Sequence, residues 1–147
     1  MAESAKQVQL KIITPEGVKV DERADMVIMR CTTGDLGVLP GHEALSAVLD
    51  FGVLRILSGD GERRIAVFGG LAEVRHDVVT VLANAAEWPE DIDRARAEAE
   101  HEQAERRLRE SLNDLELQST HALLRRTLVQ IEVSSYPLIS KPPAKKE

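Results

Sequence analysis

A chain of 147 residues, 43% hydrophobic and 30% charged, has room for one globular domain or a domain with an appendage, and a folded chain of this size buries roughly 70% of its unfolded surface. The net charge of −6 argues against non-specific nucleic-acid binding. The lone cysteine, Cys31, excludes an intramolecular disulfide or a multi-cysteine metal site and fits a reducing cytoplasm. No run reaches the ~18 apolar residues of a membrane span and residues 1–7 lack an apolar signal-peptide core, so membrane association is expected only through partners.

Along the first half, short apolar runs alternate with turn residues, which predicts antiparallel strands at Val8 to Ile13, Val18 to Glu22, Met26 to Cys31, Leu45 to Leu49, Val53 to Leu57, Ile65 to Phe68, Leu71 to Val74 and Val78 to Ala83. Thr14-Pro15-Glu16-Gly17 suits a type I turn, and Ser58-Gly59-Asp60-Gly61 a hairpin loop. Such dense punctuation, with 3% aromatic residues, predicts a two-sheet sandwich over residues 1–86 with an aliphatic core that includes Cys31 as a small buried hydrophobe. Gly34-Asp35-Leu36-Gly37-Val38-Leu39-Pro40-Gly41-His42 reads as a surface loop of fixed form, with Asp35 and His42 at its rim. Gly69-Gly70 reads as a bend between strands, since no helix start or Lys-Ser/Thr follows to make a phosphate cradle.

At Glu87-Trp88-Pro89-Glu90-Asp91 the pattern changes, and Pro89, Glu90 and Asp91 suit a helix first turn. Residues 87–133 then read as an antiparallel hairpin of two helices that turns at Asn113-Asp114. Ile92, Ala95, Ala99, Ala104, Leu108 and Leu112 form one apolar stripe, and Leu117, His121, Leu124, Leu128 and Ile131 the other. Glu90/Arg94, Glu102/Arg106 and Glu105/Arg109 are favourable i,i+4 pairs. Residues 134–147, with Lys141, Lys145 and Lys146, read as a flexible tail. The fold class expected is α+β: an antiparallel β-sandwich followed by a two-helix hairpin.

Three readings compete for Asp35 and His42. As an acid/base pair with Glu43 they would define a small hydrolase, although a nucleophile and oxyanion donors are missing from the pattern. As loop residues they would satisfy backbone groups. As exposed polar groups on a rigid loop they would contact another subunit. Arg125 and Arg126 read either as a solvated helix end or as a partner contact, and Asp93 as a first-turn acid with Arg96 exposed beyond it.

The Gly34 to His42 loop, Ile13-Thr14-Pro15-Glu16-Gly17, Gly69-Gly70, Val79-Thr80-Val81-Leu82-Ala83 and Ile92-Asp93-Arg94-Ala95-Arg96-Ala97 stand in one order between about Val8 and Ile131. In that order the chain closely resembles the epsilon subunit family of F-type ATP synthases. The resemblance implies a non-catalytic rotor component at the cytoplasmic face of the bacterial cell membrane, joining the gamma shaft to the membrane c-ring. It implies a c-ring contact through Asp35 and His42. It further implies that the helices switch between compact and extended forms, the extended form restraining ATP hydrolysis through Arg125 and Arg126 against the catalytic alpha and beta subunits. No cofactor is required, but regulatory ATP is implied: Ile92 beside the base, Asp93 as a polar acceptor, Arg96 and Arg126 near the phosphates, and Glu87 and Ala97 at matching positions. Gln103 and Gln130 stand where strong ATP binders carry basic residues. A free-standing β-sandwich adaptor is the alternative outside this family.

Overall fold

A computed structural model describes residues 6–59, 61–110 and 112–135. Asp60 of the β-hairpin loop and residues 136–147 of the expected tail, with its three lysines, lie outside the described residues.

The strands are β1 (Val8–Thr14), β2 (Gly17–Ala24), β3 (Met26–Cys31), β4 (Gly34–Val38), β5 (Leu45–Ser58), β6 (Gly61–Arg75), β7 (Val78–Ala83) and β8 (Ala86–Glu87); a 3-10 turn (Pro89–Asp91) leads into helices α1 (Arg94–Arg107) and α2 (Asp114–Ser135). The strands form one sheet in the order β2-β1-β7-β6-β5-β3-β4, with β8 on β6. All pairs are antiparallel except β1 with β7. Contacts of β1 with β3 and of β2 with β5 skip intervening strands, so the sheet folds over itself into the two layers of a sandwich.

Alternation supplies the core. In β1, β3 and β7 every second residue is buried, and Leu10, Ile12, Met29, Leu54, Ile56 and Ile65 are almost wholly inside, as is Cys31. Burial raises the Cys31 thiol pKa, with Asp35 adding to the shift, so the residue serves as a packed hydrophobe.

The strands expected as separate pairs, Leu45 to Leu49 with Val53 to Leu57 and Ile65 to Phe68 with Leu71 to Val74, are the halves of two long strands. β5 and β6 keep one register from Leu45↔Val74 to Ser58↔Gly61, lapsing only opposite Asp50 and Gly69. There Gly69 and Gly70 take φ of +77° and +134°. A Cβ on Gly70 would lie 2.1 Å from the Leu82 carbonyl oxygen; the glycine pair thus lets β6 press against β7 while changing direction. The chain after β7 stays on β6: Asn84 N donates to Gly69 O, Phe68 N to Ala85 O, and β8 pairs with Ala66 and Val67.

Gly34 to His42, expected as a loop, is only partly one. Its first part, Gly34–Val38, is strand β4, paired with β3 from Cys31↔Gly34 to Val27↔Val38. Its glycines disguised a sheet edge, where a strand pairs its backbone with a neighbour on one side only.

The open side of the sandwich is clasped by Arg63 of β6, whose Nη1 donates to both carboxylate oxygens of Glu22 of β2 at 2.7 and 2.8 Å while the guanidinium lies 4.4 Å from the Trp88 ring centre. At one end Asp25 accepts hydrogen bonds from Gly59 N (2.6 Å) and Gln7 Nε2 (3.0 Å), which lower its pKa.

The hairpin forms as expected, but its seams differ. Asn113 caps α2 by accepting from Glu116 N at 2.8 Å. The buried residues are Ala97 and Ala104 on α1 and Thr120, Thr127, Val129 and Val133 on α2. Thr127 meets α1 through His101, whose Nδ1 lies 2.9 Å from Thr127 Oγ1. Thr120 and Thr127 donate to the carbonyls of Glu116 and Leu123, so their hydroxyls enter the interface satisfied, and small residues on both helices allow close approach. The expected stripes are only partly inside: Ala104 is buried and Leu124 and Ile131 are half-buried, but Leu117 and Leu128 are exposed, as is His121, which was expected to pack. Ala95 and Ala99 are likewise exposed. The exposed face of α1 carries the pairs Arg94–Glu98 and Arg96–Glu100, each at 2.9 Å.

Candidate functional site

The junction between the halves is built by local chain chemistry. Pro89, Glu90 and Asp91 form their own 3-10 turn instead of the expected first turn of α1, and Ile92 then turns extended and joins the apolar cluster of Ala66, Phe68, Val129 and Val133. Asp93 becomes the N-cap of α1, its Oδ1 accepting from Arg96 N at 3.1 Å. Arg96 itself points outward with 76% of its side chain exposed and pairs with Glu100. Ala97, one residue on, is buried at 3% exposure.

α2 lies on the outer face of the sheet. Its valines enter the cluster just named, and its polar residues fasten the rim. Arg125 forms an ion pair with Asp50 and stacks 4.7 Å over the Phe51 ring. Arg126 lies 5.2 Å over Phe68 and 4.0 Å from Glu87 Oε1, the oxygen that also accepts from Gln130 Nε2 at 2.8 Å. Phe51 and Phe68 are cross-strand partners in edge-to-face contact, centroids 5.6 Å apart.

Of the residues tied by resemblance to ATP, the fold therefore brings Glu87 and Arg126 together, puts Ile92 beneath α2, and leaves Asp93 and Arg96 at the start of α1. Asp50, Phe51 and Phe68 escaped the sequence reading. Their only sequence signal is that both of the chain's phenylalanines flank the strand midpoints, and pairing register is needed to place them side by side.

Asp35 and His42 do not form a pair. Asp35 sits on β4 opposite Arg30, whose Nε donates to it at 2.5 Å and whose own pKa the carboxylate raises. His42 lies beyond the other end of β4, with Nδ1 2.8 Å from the Glu43 carbonyl oxygen. Neighbouring Gly41 is tied across the fold by donating its N–H to Asp77 Oδ1 at 2.6 Å. No hydrogen bond or ion pair links the side chains of Asp35, His42 and Glu43, so the geometry lacks the contacts of the hydrolase reading.

A sandwich bearing a docked hairpin defines a class of two-part protein whose helical half rests on the sheet. The chain belongs to the ATP synthase delta/epsilon family: residues 7–89 match the model of its beta-sandwich domain and residues 90–135 that of its long alpha-helix domain. It is 47% identical over 103 residues to the ATP synthase epsilon chain of Anoxybacillus flavithermus, covering 70% of this chain and 77% of that one. To the epsilon chain of Bacillus velezensis it is 42% identical over 130 residues, covering 88% and 98%. Its fold is similar to a chain of the Euglena gracilis mitochondrial ATP synthase, solved with OSCP, F1 and c-ring, at a TM-score of 0.78 and 22% identity, covering 92% of this chain and 85% of that one.

Proposed function

We propose that the chain is a non-catalytic central-stalk subunit of an F-type ATP synthase, coupling the gamma shaft to the membrane c-ring and restraining ATP hydrolysis through its helices. The observation that carries the switching role is the unequal use of α2. Only Val129 and Val133 of its apolar residues are buried, whereas Leu115 is 76% and Leu128 56% exposed. A helix with three leucines in water, Leu115, Leu117 and Leu128, has a second surface to bury, which favours an alternative packing against partner subunits. Arg125 and Arg126 would then leave the sheet and meet the catalytic alpha and beta subunits.

The sandwich offers its own contact surface. Val18, Ile13, Leu82, Leu71 and Val48 are successive cross-strand partners from β2 to β5, and all but Ile13 are more than half exposed. This apolar row supports binding to gamma, and Asp35 with the tethered His42 loop supports binding to the c-ring. No helix among the described residues is long and apolar enough to cross a membrane, and the complex itself would hold the chain at the cytoplasmic face of the bacterial cell membrane.

Truncation tests the regulatory role. Reconstituted complexes whose chain ends after Asp91 should hydrolyse ATP faster than complexes with the full chain, and equal rates would refute it. Regulatory ATP is a second element of the proposal, favoured by the approach of Arg126 to Glu87 with Asp93 and Arg96 at the α1 start. With Gln103 and Gln130 in place of basic residues, affinity on the order of millimolar is expected. Calorimetry on the chain, with Arg96→Ala and Arg126→Ala controls, tests it; no heat at millimolar ATP overturns it.

A further inference from the structure

We infer that Asp50, Phe51, Phe68 and Glu87 form a receptor site on the sandwich for a helix segment bearing adjacent arginines, filled in this chain by its own Arg125 and Arg126, so that the hairpin is latched down with no nucleotide bound. The proposed function requires that the hairpin move; it does not say what holds it, and the latch is independent of whether the released form inhibits anything.

Neighbouring residues on an α-helix project roughly 100° apart, so two consecutive arginines diverge and need two receptors side by side. The sheet supplies them. Phe51 and Phe68 face each other across β5 and β6, and each ring takes one guanidinium. A carboxylate flanks each ring: Asp50 precedes Phe51 and pairs with Arg125, while Glu87 is paired through β8 to Ala66, two residues from Phe68, and approaches Arg126. Planar guanidinium suits this combination of ring face and carboxylate, where a lysine ammonium would lose the stack.

Gln130 completes the latch. It stands one turn beyond Arg126 and donates to Glu87 Oε1, so that one oxygen is engaged by two α2 side chains without any external ligand. Val129 and Val133 supply the apolar contact beneath.

The full chain, free of nucleotide, tests this with spin labels on cysteines introduced at the exposed positions Glu73 and Gln118; Cys31 is buried and stays unlabelled. The unsubstituted latch should give one dominant docked distance. Asp50→Arg and Arg125→Asp should each lower the docked-to-released ratio about tenfold, and the double exchange should restore it to within about twofold. Arg125→Lys, retaining charge without the stack, should lose about threefold. If Asp50→Arg disturbs the sheet, judged by circular dichroism, near-isosteric Asp50→Asn carries the test with an expected loss of about threefold. A mostly released hairpin without nucleotide, single substitutions that leave the distribution unchanged, or a double exchange no better than either single would each overturn the latch.

Discussion

Replacing Gly70 by alanine tests whether the glycine pair is what allows β6 to serve both layers. At φ +134° an L side chain is strained, which costs on the order of 1–3 kcal/mol. The added Cβ would also meet Leu82 O at 2.1 Å and Ala83 Cα at 2.8 Å, both backbone atoms that cannot swing aside. Overpacking of that kind costs about 1–3 kcal/mol, so the sum is roughly 2–6 kcal/mol. For a domain of this size each kcal/mol lowers Tm by about 4–8 °C, giving a fall of at least about 8 °C. Gly59→Ala is the control: its φ is +51°, its Cβ would meet nothing within 4 Å, and only the conformational cost of about 1 kcal/mol remains. Urea unfolding followed by circular dichroism measures both. If Gly70→Ala is no more destabilising than Gly59→Ala, the close approach of β6 to β7 is not what requires the glycine. Because Asn84 and Ala85 bond the β6 backbone beside this point, the substitution should also displace Glu87 and weaken hairpin docking.

Arg63→Ala should destabilise the sandwich by about 1–2 kcal/mol, since a partly buried ion pair with Glu22 and the stack on Trp88 are lost together; the emission of the lone tryptophan should change with it, and an unaltered Tm and spectrum would refute the clasp. Glu62 is held below the ordinary glutamate pKa, first by its hydrogen bond from Arg55 and then by Arg64. A lowered folded-state pKa means that the folded chain binds fewer protons, so this stabilisation is complete above the unfolded value of about 4.3 and drains as pH falls through the folded one. Thermal melts should therefore show Glu62→Gln less stable than the parent at pH 7, with the gap narrowing below about pH 4; a constant gap contradicts the assignment. Replacing Asp35 and His42 together should lower ion-driven ATP synthesis by the intact complex more than hydrolysis by the detached head, and equal effects in both assays would count against c-ring docking.

How much of this was legible depends on whether the controlling interactions are local. Strand runs, the turn at Thr14 to Gly17, the turn at Asn113-Asp114 and the change from period two to helical spacing after Glu87 are written in neighbouring residues, because turns and alternation act within a few positions. The punctuation at Gly69-Gly70 was legible for the same reason, but as a bend between two strands, and only pairing with β5 shows that it lies inside the single strand β6. β4 was not: glycines suggest a loop, and only pairing with β3 makes Gly34–Val38 a strand. Nor was the buried face of α2. Leucine spacing pointed to Leu117, Leu124 and Leu128, but Thr120 and Thr127 pack inward with their hydroxyls bonded to their own helix, and the valines beside them meet the sheet.

The sequence by itself determined the two-part organisation, the turn between the helices and the family, since each rests on residue types at short fixed spacing. Tertiary structure alone decided that Arg125 and Arg126 rest on Phe51 and Phe68 between Asp50 and Glu87. Those partners come from β5, β6, β8 and α2, and their meeting depends on strand register and on the rotation of a helix about its axis. Neither is encoded in any local window; both are fixed by the packing of elements far apart in the chain.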